Sequence, residues 1–446
     1  MSETFSLLFF AIISIVLLAY LVIAKKVHAF IAIIIAAAFV GLGTGMDATE
    51  VLNSMQSGMG NTLGFVATIV GLGAMFGQFL EESGGVDRLA LTIKQKFGEK
   101  NSQWALVITG FLVAIPVFFE VGLIILMPLI YSMAQKTGKS LIYYGIPLAA
   151  GLAVTHAFIP PTPGPVAVAS ILNADIGLVI LFGFIVGVPC ACIAGPIYAS
   201  YIAKKIYVPV PEHIRNIEAR PVEALPSFSL VAALLFFPLV VILIGSIAKF
   251  VLADGIVKQV FIFVGHPFIA LTIATLACFK WLGKNQGLSA VQVRNVASKG
   301  LEPVALVILV TGAGGMFKQV LIDSGAGQAF ADVVALSPLP PLMAGFLIAI
   351  SVRIIQGSAT VAMLTAAGLM APVVNALSLS PSLLALMTIS IAAGATAMSH
   401  VNDTGFWIIN RYFDISVKNT LISWTCMATI IGVVGLMLTL LLAMFV

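Results

Sequence analysis

Long apolar runs, separated by short polar stretches, dominate the chain. They fall at 5–24, 28–45, 61–80, 104–131, 141–172, 176–203, 228–252, 259–282, 303–322, 341–371, 382–412 and 420–446. A run of about 20 apolar residues is long enough to cross the hydrocarbon core of a bilayer as an α-helix. Three runs exceed one simple helix, and each is interrupted. Pro116 and Glu120 sit inside 104–131, and Pro160-Pro161-Thr162-Pro163-Gly164-Pro165 sits inside 141–172. The run 341–371 contains Arg353 and then Gln356-Gly357-Ser358. The pattern predicts an all-α polytopic membrane protein with broken helices.

Composition agrees. Of 446 residues, 60% are hydrophobic and 9% charged, against about 25% charged in a soluble domain. A cytosolic enzyme, a disulfide scaffold and intrinsic disorder are excluded. The net charge is +4, but the basic residues are scattered, which argues against a nucleic-acid partner. Cys190, Cys192, Cys278 and Cys426 lie in apolar runs and read as small buried hydrophobes. The first run has no basic residue before it and Lys25-Lys26 after it. That arrangement predicts a retained first helix with its N-terminus outside.

An internal repeat organises the runs. Gly71–Gly84 matches Gly312–Gly325 at 8 of 14 positions. Gly110-Phe-Leu-Val-Ala-Ile115 then echoes Gly345-Phe-Leu-Ile-Ala-Ile350, which sets Gly122 opposite Gly357. Ala149-Ala-Gly151 leading to Thr155-His156 echoes Ala392-Ala-Gly394 leading to Ser399-His400. The expected organisation is a first half, 1–205, a cytoplasmic linker, 206–227, and a second half, 228–446. The loop after Leu80 carries Arg88, Lys94, Lys96 and Lys100, whereas the matching loop after Leu321 carries Asp323 and Asp332 and no Lys or Arg. By the positive-inside rule these loops lie on opposite sides, so the halves are inverted. Treating 104–131 and 341–371 as re-entrant hairpins gives ten crossings with both termini outside. Of 22 basic residues, 18 are then cytoplasmic, and Lys249, Lys258, Lys318 and Arg353 are not. Inverted repeats with broken helices typify secondary transporters, whose sites form where the breaks meet. The hairpin tips at 116–122 and 353–360 are expected to face breaks at 159–165 and 400–405.

The stretches Ile115-Pro-Val-Phe-Phe-Glu120-Val-Gly, Thr155-His-Ala-Phe-Ile-Pro-Pro-Thr-Pro-Gly-Pro165, Arg353-Ile-Ile-Gln-Gly-Ser-Ala-Thr360 and Ser399-His-Val-Asn-Asp-Thr-Gly-Phe-Trp407 resemble the gluconate permease family. The resemblance runs from the first helix to the last. It implies a bacterial inner-membrane gluconate:proton symporter of the ion-transporter superfamily. In that superfamily, related carriers use paired hairpins, dimerise and move substrate by an elevator motion, which applies here by analogy of fold. Members carry gluconate, related sugar acids such as idonate, or D-serine, and the Arg353 and Ser399 stretches look like the gluconate branch. Family members often have His in the first proline cluster, where this chain has Thr162.

A guanidinium at a hairpin tip inside the membrane is costly and therefore functional by default. The fork of Arg353 suits a sugar acid's carboxylate; the competing reading is a structural ion pair with a carboxylate such as Glu120. Glu120, among aromatics, is a candidate proton carrier, or alternatively an acid bonded to backbone N–H groups. Asp403 with His400 forms a candidate proton relay, with a structural helix cap as the rival role for Asp403. His156 is the repeat partner of His400; for both, a satisfied buried histidine is the rival reading. Gly164 and Gly357 permit close backbone approach at half-helix N-termini, where dipoles favour an anion. Ser358, Thr360, Thr162, Asn402 and Thr404 offer donors and acceptors to hydroxyls. The Gly71/Gly73 and Gly312/Gly314 clusters lack a following Lys-Ser/Thr and read as helix packing.

The expected activity is proton-coupled import of gluconate or a close sugar acid by alternating access, with no cofactor or metal. The alternative is a carrier for another organic anion or D-serine, with sodium coupling left open. No nucleophile–base or metal motif supports an enzyme. A homodimer in the inner membrane completes the expectation.

Overall fold

The structure, a computed structural model, describes residues 3–211, 222–329, 332 and 339–446. Residues 212–221 of the expected linker, and most of the loop around Asp332, lie outside the described residues. Every described element is helical. The first half comprises α1 (Glu3–Ile23), α2 (Ala29–Gly43), α3 (Ala48–Glu82), α4 (Gly85–Phe97), α5 (Ser102–Val113), α6 (Phe119–Thr137), α7 (Leu141–Phe158), α8 (Pro163–Leu172) and α9 (Ile176–Ile202). The second comprises α10 (Phe228–Val251), α11 (Ile256–Val264), α12 (Pro267–Gln286), α13 (Ala290–Asp323), α14 (Pro341–Gln356), α15 (Ala359–Ala376), α16 (Pro381–Thr396), α17 (Thr404–Tyr412) and α18 (Val417–Leu442).

Among the described residues, ten helical spans are long and apolar enough to cross a membrane. The number equals the expected one, but the membership differs. The hairpin arms α6 and α15 are long enough by themselves, whereas α2, at 15 residues, and the broken α16–α17 are not. The run 259–282 also departs from expectation. It divides at Gly265-His266, because Pro267 opens a new helix and the His266 ring accepts the N–H of Phe268 at 3.3 Å.

The two expected hairpins are helix–break–helix units, α5–α6 and α14–α15. The first breaks over Ala114–Phe118 around Pro116, the second over Gly357 and Ser358 alone. Two further helices break at corresponding places, α7–α8 at 159–162 and α16–α17 at 397–403. The packing follows the same plan in both halves: α5 lies along α7, as α14 lies along α16, and α3 of the first half lies along α13 of the second. The repeat-matched Gly84 and Gly325 both take left-handed conformations after their helices.

Packing is close where glycines face backbone. A Cβ on Gly110 would strike the Leu148 carbonyl, and one on Gly394 the Phe346 carbonyl. These contacts hold α5 on α7 and α14 on α16 at backbone distance. Two polar ties reinforce the framework. Lys318 donates to the Ile171 carbonyl at 2.5 Å, placing a cation at the C-terminal end of α8. Asp175, the N-cap of α9, accepts from the N–H groups of Gly177 and Leu178 and, at 2.6 Å each, from Ser246 and Lys249 of α10. Burial pushes the Asp175 carboxyl up, but the hydrogen bonds from Lys249 and Ser246 and the charge of Lys249 hold it below its ordinary value.

Candidate functional site

The helices that follow all four breaks begin at one cavity of about 670 Å³. Its wall includes Phe118–Val121 from the start of α6, Pro163 and Gly164 from the start of α8, Gly357–Thr360 from the start of α15, and Asn402–Gly405 from the start of α17. Four helix N-termini therefore meet here. The first-turn N–H groups of a helix lack intrahelical partners, and the summed dipole leaves that end partially positive. Placed around one cavity, they favour an anion.

Arg353 closes the wall from the last turn of α14 and is 3% exposed. One terminal nitrogen donates to Asp403 Oδ2 at 2.6 Å, and the other donates to the Gly357 carbonyl. Its Nε is buried without a partner. Asp403 stands at the N-cap of α17 but makes no capping bond; its carboxylate instead accepts from Arg353 and from the Ser399 hydroxyl. Trp424 donates to Ser399 Oγ at 2.6 Å and stacks against Phe119, so the α18 segment braces the pair. Of the partners considered for Arg353 from sequence, the structure supplies a carboxylate, and it is Asp403 rather than Glu120.

Gly357 ends α14 with φ +86°, and a Cβ there would collide with the Asn402 carbonyl. The second tip thus rests directly on the second break. Asn402 Nδ2 and His400 Nε2 both reach the Ile354 carbonyl, at 2.9 and 3.0 Å. His400 is spent on this contact and is outside the cavity wall, and no side-chain bond joins it to Asp403. The relay drawn from their proximity in sequence is therefore replaced by two separate ties from the break to the hairpin.

The other expected residues divide by position. Ser358, Thr360, Gly164, Asn402 and Thr404 line the cavity. Ser358 also caps α15, its Oγ accepting the N–H of Val361 at 3.4 Å. Thr162 does not reach the cavity. It is 5% exposed, its hydroxyl donates to the Ile159 carbonyl at 2.6 Å, and it borders a small separate void beside Pro116 and Pro161. Its position as N-cap of α8 turns the side chain back along the chain it follows.

Glu120 and His156 both line the cavity and interact electrostatically. Among the described residues Glu120 has no hydrogen bond or ion pair, and His156 Nδ1 is buried without a partner. The His156 ring meets Phe118 edge-on, with centroids 5.9 Å apart. Several wall residues carried no sequence signal: Thr396 and Trp424 sit inside apolar runs, and Met363 reads as core. Gln356 adjoins the Gly357 motif and was within reach. Among the described residues no group of three or more His, Cys, Asp or Glu could hold a metal ion.

Comparison with known proteins places this arrangement. The family model described as GntP family permease matches residues 6–445. The chain belongs to the GntP permease family. It is 40% identical over 435 residues to the high-affinity gluconate transporter of Escherichia coli K12, covering 97% of this chain and 98% of that one. It is 39% identical over 448 residues to a gluconate permease of Pseudomonas aeruginosa, covering 100% of this chain and 99% of that one. A third relative of this GntP permease, the Gnt-II system L-idonate transporter of Escherichia coli K12, is 40% identical over 424 residues, with 94% and 95% covered. Among solved structures, the fold is similar to the YdaH transporter of Alcanivorax borkumensis (TM-score 0.63, 16% identity, 90% of each chain). It is also similar to MtrF of Neisseria gonorrhoeae (TM-score 0.65, 13% identity, 92% of this chain and 93% of that one). A multi-pass membrane permease, not an enzyme, is what the family and the ten spans together describe.

Proposed function

We propose that this permease carries gluconate or a closely related sugar acid, driven by protons, by alternating access. The observation that carries the reading is the convergence of four helix N-termini and Arg353 on one cavity. That electrostatic frame selects a small anion, and the relatives named for gluconate and idonate give the class of anion. The substrate carboxylate is assigned to the α15 and α17 N-termini beside Arg353, whose unpartnered Nε offers a further donor. The hydroxyls of the chain are assigned to Thr360, Ser358, Asn402 and Thr404, with Gln356 beside them.

Proton coupling is assigned to Glu120 with His156, because both line the cavity and neither has its polar atoms fully occupied. A carboxyl that is protonated on one side of the membrane and deprotonated on the other converts the gradient into accumulation. The same reading places the protein in the inner membrane as a homodimer, with both termini periplasmic. Uptake of radiolabelled gluconate into proteoliposomes tests it, with an imposed pH gradient and no sodium. Idonate should compete and D-serine should not. Uptake that needed sodium and ignored the pH gradient would overturn the coupling, and uptake indifferent to gluconate and idonate would overturn the substrate.

A further inference from the structure

A second pocket, of about 230 Å³, lies where the C-terminal ends of α4 and α6 meet the N-terminal end of α5. It shares no residue with the transport cavity. Lys94, Lys136, Ser102, Glu99, Thr137 and Tyr144 line it. We propose that this pocket is a separate anion site that takes a phosphate group, borne either by a soluble phosphate ester or by a phospholipid headgroup.

Three independent features point there. The first is the lysine pair. Each lysine occupies the last turn of its helix, where a cation complements the dipole, and that alone would account for one lysine on each helix. It does not account for their lining one pocket together. Among the described residues neither ammonium has a carboxylate within ion-pair distance. Burial, and then the charge of Lys136, lower the Lys94 pKa, which the charge of Glu99 only partly offsets.

The second feature is Ser102, which is 1% exposed and whose Oγ is buried with no hydrogen-bond partner. A buried hydroxyl is ordinarily satisfied, so an orphan one at a pocket wall marks a place where a ligand oxygen belongs. The third is the start of α5 itself. Asn101 at its N-cap makes no side-chain capping bond; the Ser102 N–H donates to the Glu99 carbonyl at 3.4 Å, and the helix dipole leaves this end partially positive beside the serine. Thr137 and Tyr144 are already bonded to each other at 2.9 Å and contribute shape rather than donors.

The chemistry of these donors favours phosphate. Lysine binds phosphate as a point charge, and the two ammonium groups, offset in part by the Glu99 carboxylate on the same wall, leave a net positive pocket that suits a phosphate oxyanion. The volume is below the roughly 300–1,000 Å³ of drug-sized ligand pockets, so it holds the phosphate group itself rather than the whole molecule that bears it.

The test uses the full-length protein in phosphatidylcholine nanodiscs. Inorganic phosphate, compared with chloride at matched ionic strength, should raise the unfolding midpoint of the wild type. Lys94→Gln/Lys136→Gln should weaken phosphate binding at least tenfold, and Ser102→Ala should weaken it severalfold. Gluconate uptake at zero phosphate serves as the fold control, and Ser102→Ala remains informative if the double variant misfolds. A second arm extracts the protein from phosphatidylglycerol vesicles and counts retained lipid by native mass spectrometry. Phosphate binding lost in the variants assigns the site to a soluble ester; lipid retention lost in the variants, without a phosphate effect, assigns it to a headgroup. If both arms are silent, or if either signal persists undiminished in the variants, the proposal fails.

Discussion

The two hairpins share a plan but are held in opposite ways. By the register that sets Gly122 opposite Gly357, Phe118 in the first stands where Arg353 stands in the second. The first tip is fixed by packing: its break is five residues long, mostly buried, and so close to α3 that a Cβ on Gly77 would strike the Pro116 carbonyl. The second break is two residues long and fixed by polar contacts, the Arg353–Asp403 pair and the reach of Asn402 and His400 to Ile354. One hairpin therefore leaves its acid, Glu120, unpaired in the cavity, while the other ties its cation to a carboxylate. The two tips thus differ in kind: one presents a carboxyl without a partner among the described residues, the other a cation clamped to a carboxylate.

The largest effect expected from breaking this contrast is at the clamp. Asp403→Ala leaves a buried guanidinium uncompensated and should cost about 3–5 kcal/mol, read as a fall in thermal unfolding midpoint together with loss of uptake. Replacing both partners, Arg353→Met with Asp403→Leu, should recover much of the stability and none of the transport. Recovery of transport would reduce the pair to a structural clasp.

The matched glycines give the next test. Gly357→Ala forces a side chain into the left-handed region, at roughly 1–2 kcal/mol, and against a backbone carbonyl. Gly122→Ala meets Leu152 Cδ2 at 2.8 Å, a flexible side-chain end that can give way. Uptake should fall much further in the first than in the second, and equal losses would remove the distinction between a clamped and a packed tip. Glu120→Gln should leave stability unchanged and allow gluconate exchange at equilibrium while abolishing accumulation against a gradient. Full proton-driven accumulation in that variant would deny the first hairpin its titratable role. Thr162→Val should cost about 1 kcal/mol for one hydrogen bond with KM for gluconate unaltered, since the hydroxyl points away from the cavity.

A smaller effect lies outside both hairpins, at Asp175. Its folded-state pKa is below the unfolded one, so its contribution is present above the unfolded value and is lost as pH falls through the folded value. Unfolding midpoints measured on the acid side should show that loss in the wild type, and Asp175→Asn should flatten it.

The breaks were legible in the sequence because Pro116, the Pro160–Pro165 cluster and Gly357 cannot continue a helix. The charged residues of the site were legible because so few charges occur in apolar runs. Their pairing was not: Arg353 and Asp403 are 50 residues apart, and only the packing of α14 on α16 brings them together. His400 looked joined to Asp403 by proximity in sequence, whereas the turn between them points the ring at Ile354. Trp424 and Thr396 are indistinguishable from core residues until the cavity beside them is seen. Which helices are long and apolar enough to span does not by itself separate crossings from hairpin arms. Hydropathy reports how apolar a segment is, not whether protein or lipid surrounds it, so hairpin arms and crossings look alike.

The length of α3 has a mechanical consequence. At 35 residues and 1.5 Å per residue it is about 52 Å long, against a hydrocarbon thickness of about 30 Å. Hiding all of it would need a tilt near 55°, beyond the 0–40° found for membrane helices. Its N-terminal part, with Glu50, Asn53, Gln56 and Ser57, must therefore stand clear of the lipid as a rigid post. Because α13 packs along it with a comparable 34 residues, the post is a two-helix strut. Bilayers of different thickness would then shift where that strut emerges rather than bend it.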